Sequence, residues 1–173
     1  MPKLVTVLRP EKIEEQARFY VRSHILLPSG TIGLICLIGG VGSLAYQLLF
    51  SHTYSWVTFL SSSILLVVGA LCGWGQARYH RYLFTTFPEF YAAKMRTAVA
   101  QRNRKAKAES EIPPIEHPGR AFVTAISIAG ALLIFGASAV AIVRGNLDLL
   151  PAVLMPWAGF FWAKLFNWRG VVE

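Results

Sequence analysis

From Leu27 to Phe50 the chain reads LPSGTIGLICLIGGVGSLAYQLLF, with no Asp, Glu, Lys or Arg, and the windows 55–77 and 121–143 are equally free of formal charge. A helix needs roughly 20 predominantly apolar residues to cross the hydrocarbon core of a bilayer, and each window reaches that length. A fourth stretch, 148–168, is also long and apolar. It carries Asp148 at one end, Lys164 near the other, and Pro151 and Pro156 between them, so a re-entrant or interfacial segment competes there with a full span. The expected fold class is an all-α integral membrane protein with four transmembrane helices arranged as two antiparallel hairpins, plus cytoplasmic amphipathic helices.

Charge is segregated rather than scarce. Only 15% of the 173 residues are charged while 54% are hydrophobic, yet the net charge is +8. An ordinary soluble domain has about 25% charged residues, spread along its length. Of the 17 Lys and Arg, five precede the first window (Lys3, Arg9, Lys12, Arg18, Arg22), nine lie between the second and third, and Lys164 and Arg169 close the chain; Arg144 alone falls in a loop on the opposite face. Translocating Lys and Arg is disfavoured. This distribution predicts an inner-membrane protein of the cell with both termini and the central loop in the cytoplasm. Trp and Tyr prefer the membrane interface, which places Tyr54 and Trp56 at the outer boundary and Trp74, Tyr79, Tyr82, Trp162 and Trp168 at the inner one.

These features divide the chain into five parts: a cytoplasmic amphipathic helix in 1–26, a transmembrane hairpin in 27–77, a basic cytoplasmic loop in 78–120, a second hairpin in 121–168, and a cytoplasmic end in 169–173. The segment MPKLVTVLRPEKIEEQARFY lacks the apolar core of a cleavable signal peptide. A helix is expected over 10–27, with Pro10 at a first helical position, Glu11, Glu14 and Glu15 at the positive helix start, and Pro28 bending the chain into the bilayer. Within the central loop, Thr86 and Pro88 mark a helix start, followed by an apolar stripe of Phe87, Phe90, Tyr91, Met95, Ala98 and Val99. That stripe suits either a lipid surface or the other cytoplasmic helix. Lys94, Arg96, Arg102, Arg104, Lys105 and Lys107 form a surface for anionic lipid headgroups or a partner. Pro113, Pro114, Pro118 and Gly119 then prescribe an extended tether. Positive charge here is what topology demands, and no interleaved aromatics or recognised module accompany it, so nucleic-acid binding is not expected.

Helices in lipid associate through small residues and polar contacts. Gly39 and Gly40 in the first span, Gly69 and Gly73 in the GALCG of the second, and Gly130 and Gly136 in the third are the expected helix-packing positions, within the chain or toward another subunit. Pro156 frees a backbone carbonyl that a neighbouring hydroxyl could satisfy. Cys36 and Cys72 lie inside spans and imply no disulfide framework. His24 and His80, at the cytoplasmic ends of adjacent spans, are the weak candidates for haem ligation. No haem-attachment, metalloprotease or nucleophile-elbow motif accompanies them, so no cofactor, metal site or catalytic residue is expected. By exclusion, the function expected is a non-catalytic structural or assembly subunit of a larger membrane complex, whose partners are membrane lipids and other membrane subunits. A small oligomeric transporter or channel is the alternative.

Overall fold

A computed structural model describes residues 10–102 and 120–172, and every secondary-structure element among them is helical. The elements are α1 (Pro10–Tyr20), α2 (Leu27–Tyr46), α3 (Trp56–Thr86), α4 (Pro88–Arg102), α5 (Arg120–Val143) and α6 (Leu149–Val172). Four helical runs are long and apolar enough to cross a membrane: Glu11–Ser51, Trp56–Thr86, Thr124–Val143 and Leu149–Arg169. The protein is therefore a multi-pass helical membrane protein, and the proline-containing fourth segment is one continuous helix. The Pro-rich tether and residues 1–9 lie outside the described residues.

The helix ends follow from local chemistry. Ser55 caps α3 through a reciprocal box in which its hydroxyl accepts from Thr58 N–H (3.2 Å) and Thr58 Oγ1 accepts from Ser55 N–H (3.4 Å). Between α5 and α6, Gly145 takes φ +67°, and Asn146 N–H reaches Ala141 O while Gly145 N–H reaches Ile142 O. Those two bonds make a Schellman closure, which needs a residue at ease in the left-handed region. α1 does not break where it meets Pro28. A π-helical turn, Val21–Leu26, joins it to α2, with Leu27 N–H bonded to Arg22 O. The wider turn takes up the missing Pro28 donor without interrupting the helix. A second π-helical turn, Gln47–Ser51, ends the run, and His52 leaves it at φ 52°.

Helix pairing does not follow chain order. α2 and α3, consecutive in the chain, scarcely approach each other; α6 lies between them and forms its most extensive contacts with both. Along α2, Gly30, Gly33 and Gly40 meet Leu165, Phe161 and Met155 of α6 in reverse order, so these two helices are antiparallel. Along α3, Gly69 and Gly73 meet Pro156 and Phe160 in the same order, so α3 and α6 are parallel. α5 is peripheral, touching α3 and α6 less extensively. A cluster of Leu65, Ala141, Leu147 and Ala152 closes the end of the bundle remote from α1 and α4.

Pro156 has no N–H to give the Ala152 carbonyl. Ser138 of α5 supplies the donor instead, its Oγ lying 2.8 Å from that oxygen in a buried position. In hydrocarbon an unmet carbonyl is costly, so this bond ties the peripheral helix to the central one. Ser138→Ala is expected to destabilise the bundle by about 1 kcal/mol or somewhat more. Adding Pro156→Ala should cancel most of that loss, because an alanine N–H restores the bond within α6. Unfolding of the four cycle members in detergent measures the coupling, and strict additivity would remove this role from Ser138.

Candidate functional site

Glycine brings helix backbones together at the centre of the bundle. A Cβ built at Gly69 would collide with the Pro156 carbonyl, one at Gly73 with the Phe160 carbonyl, and one at Gly159 with the Leu66 carbonyl. The GxxxG of α3 and Gly159 of α6 thus form one reciprocal crossing in which main chain rests on main chain. Gly39 and Gly40 sit against α6 less tightly, with a built Cβ 2.9 Å from Leu154 Cδ1 and 2.8 Å from Met155 Sδ respectively. A Cβ built at Gly130 makes only ordinary contact, 3.7 Å from Cys72 Sγ, and one at Gly136 meets nothing within 4 Å among the described residues. Gly136 lies on an exposed face of α5. Gly159 escaped notice because one glycine among aromatic residues carries no motif; its spacing three residues after Pro156 was the available signal.

Hydroxyls inside the spans bond to the main chain of their own helix: Thr31 Oγ1 donates to Leu27 O (3.1 Å) and Ser62 Oγ to Phe59 O (2.9 Å). Between α6 and α3, Lys164 Nζ donates to Gln76 Oε1 (3.3 Å). Among the described residues no three His, Cys, Asp or Glu side chains gather as metal ligands would.

The end of the bundle bearing α1 and α4 is an aromatic joint. Trp168 of α6 is fully buried among Ala17, Val21, Ala77, Leu83 and Tyr91, with Phe84 edge-on at 5.9 Å. It is not an interfacial anchor of the kind expected, because α1 and α4 cover it. Trp74 and Tyr82, by contrast, are exposed. His80 and Tyr91 lock α3 to α4: His80 Nδ1 is 3.2 Å from Tyr91 Oη, and that hydroxyl also donates to the His80 carbonyl at 3.2 Å. Burial pushes the Tyr91 phenol above its ordinary pKa, which keeps it a donor. His24 is exposed, stacked on Tyr20 at 4.7 Å and bonded to Ser23 Oγ. The two histidines are connected through the Tyr20 and Tyr91 rings, 6.0 Å apart.

Of the basic set, Lys94 lies 4.5 Å over the Phe90 ring, where burial lowers its pKa, and Arg96 Nε reaches back to Ala92 O at 3.5 Å. Arg102 is the last residue of α4, with its side chain outside the described residues; Arg104, Lys105 and Lys107 are also outside them. Tyr91, Ala92 and Ala93 are all buried, so α4 packs on protein over more than a single stripe.

Two hollows remain. One, about 520 Å³, lies between α1 and α4 and is lined by Lys12, Glu15, Gln16, Phe19, Met95, Arg96 and Val99. Phe19 is 57% exposed there, and the buried Gln16 Oε1 has no hydrogen-bond partner among the described residues. The other, about 640 Å³, opens between α3, α5 and α6. No protein family, no curated protein and no solved structure matches this chain.

Proposed function

We propose that this protein is a non-catalytic structural or assembly subunit of a larger membrane complex, held in the cell inner membrane with both termini and the α1–α4 end in the cytoplasm. The distribution of Lys and Arg, all but Arg144 outside the opposite loops, supports that orientation.

The α1–α4 groove carries the subunit role. Its floor holds exposed apolar groups, Phe19 and Val99, and its rim alternates Lys12, Glu15 and Arg96. An apolar centre with a polar rim is what a protein partner completes on docking.

Extraction in mild detergent followed by native mass measurement tests the proposal. Co-migration with unrelated polypeptides is expected, and Phe19→Glu should reduce that co-migration at least tenfold while leaving thermal stability unchanged, since the ring is exposed. A discrete homo-oligomer of this chain alone would overturn the subunit role. It would favour the competing role of a small oligomeric transporter or channel, for which the α3–α5–α6 hollow is the supporting observation.

A further inference from the structure

The hollow between α3, α5 and α6 is a wedge with a direction. At one end Ile134, Ser138 and Ala141 of α5 are buried, whereas at the other the residues of α5 from Thr124 to Ala129 are all exposed. α5 is therefore pinned at the end bearing the Ser138 bond and is least covered toward the α4 end. The wedge opens sideways, onto whatever surrounds the helices. From Ile126 to Ile134 it extends about 12 Å along the helix axis.

Chemistry changes along that length. Leu71, Ile134, Trp157 and Phe160 line the part away from α4, while Gln76, Tyr79 and Lys164 gather at the end nearest α4. The Lys164 ammonium is 3.3 Å from Gln76 Oε1 and 5.6 Å from the centre of the Phe160 ring. Both partners are neutral, and no carboxylate pairs with Lys164 among the described residues. A cation at the edge of hydrocarbon is expensive without a counter-charge. A basic pocket between transmembrane helices is the chemistry that recognises an anionic lipid headgroup.

We propose that this wedge is a binding site for one anionic membrane lipid, its phosphate on Lys164 and Gln76 and an acyl chain against Leu71, Ile126, Ile134 and Trp157. The occupant is a lipid rather than a soluble phosphate ester because the charged mouth continues directly into an apolar channel that is open to the side. This site is separate from the α1–α4 groove and stands or falls without it.

The test uses the full chain purified in mild detergent and incubated with phosphatidylglycerol, phosphatidylcholine or glycerol phosphate, read by native mass spectrometry. One phosphatidylglycerol should survive activation that strips phosphatidylcholine, and glycerol phosphate should not be retained. Lys164→Gln should lower phosphatidylglycerol retention about tenfold, to the level of the zwitterionic lipid, while Arg144→Gln, at an exposed position in the loop at the far end of the bundle, leaves it unchanged. Ala131→Trp, which fills the apolar part and keeps the lysine, should prevent retention with helicity intact. Phosphatidylglycerol bearing a photoreactive acyl chain should label α5 between residues 126 and 134. Equal retention by the Lys164→Gln and unaltered proteins, labelling only outside the wedge, or glycerol phosphate binding as firmly as the lipid would each overturn the proposal. Should Lys164→Gln fail to fold, the Ala131→Trp result and the labelling map decide.

Discussion

Leucine at Gly69 is expected to abolish the folded bundle, and alanine alone to destabilise it by at least about 3 kcal/mol, the upper end of what overpacking costs. The reason is what lies opposite. At Gly39 or Gly40 an added methyl meets the flexible ends of Leu154 and Met155, which can turn aside. At Gly69 it meets the Pro156 carbonyl, and moving that oxygen means moving α6 as a whole. α6 cannot shift alone, because Gly33 and Gly40 of α2 hold its other side. The same holds for Gly73 against Phe160 and, from the other helix, for Gly159 against Leu66. Gly136→Ala and Gly42→Ala are the controls. A Cβ added at either position meets nothing within 4 Å among the described residues, so each should raise stability by about 0.5–1 kcal/mol through helix propensity alone. Unfolding monitored by circular dichroism in detergent ranks the five sites. Wild-type stability for Gly69→Ala would mean that α3 and α6 do not cross at that point.

Trp168→Ala is expected to cost about 3–5 kcal/mol, the range for removing a buried tryptophan. The loss should be local. Trp168 is the piece of α6 on which α1, α4 and the end of α3 converge, so its removal should expose α4 to protease while the four spans stay helical. Trp168→Phe separates volume from polarity. The indole Nε1 has no hydrogen-bond partner among the described residues, so phenylalanine gives up packing but no bond, and should retain most of the stability. Trp74→Ala, at an exposed position, should change little. Limited proteolysis together with near-UV circular dichroism reads these outcomes. Protection of α4 in Trp168→Ala would show that the joint does not depend on the indole.

How far each feature was legible depends on its range along the chain. Spans are local: a charge-free window either reaches bilayer length or does not, and the expected 55–77 and 121–143 lie within the runs formed by α3 and α5, give or take a residue. The need of Pro156 for an outside hydroxyl was also local, and Ser138 meets it. Pairing is not local. All four spans carry glycines, and hydropathy is silent on which of them face each other, so α6 between α2 and α3 could not be read from composition. Trp168 illustrates the same limit. Its position near a span end resembles that of Trp74, and only the distant Ala17, Val21 and Tyr91 make it a core residue.

The π-helical turn at Val21–Leu26 has a mechanical consequence. α1 and α2 share one uninterrupted helical rod, so the bearing of α1 about the rod axis is geared to the membrane span beneath it. A widened turn is an α-helix carrying a surplus residue. Each residue of an α-helix advances the bearing by about 100°. Those six residues therefore act as a phase adjuster: they set the compass direction in which Ala17 and Phe19 point, so that one meets the joint and the other is left facing out.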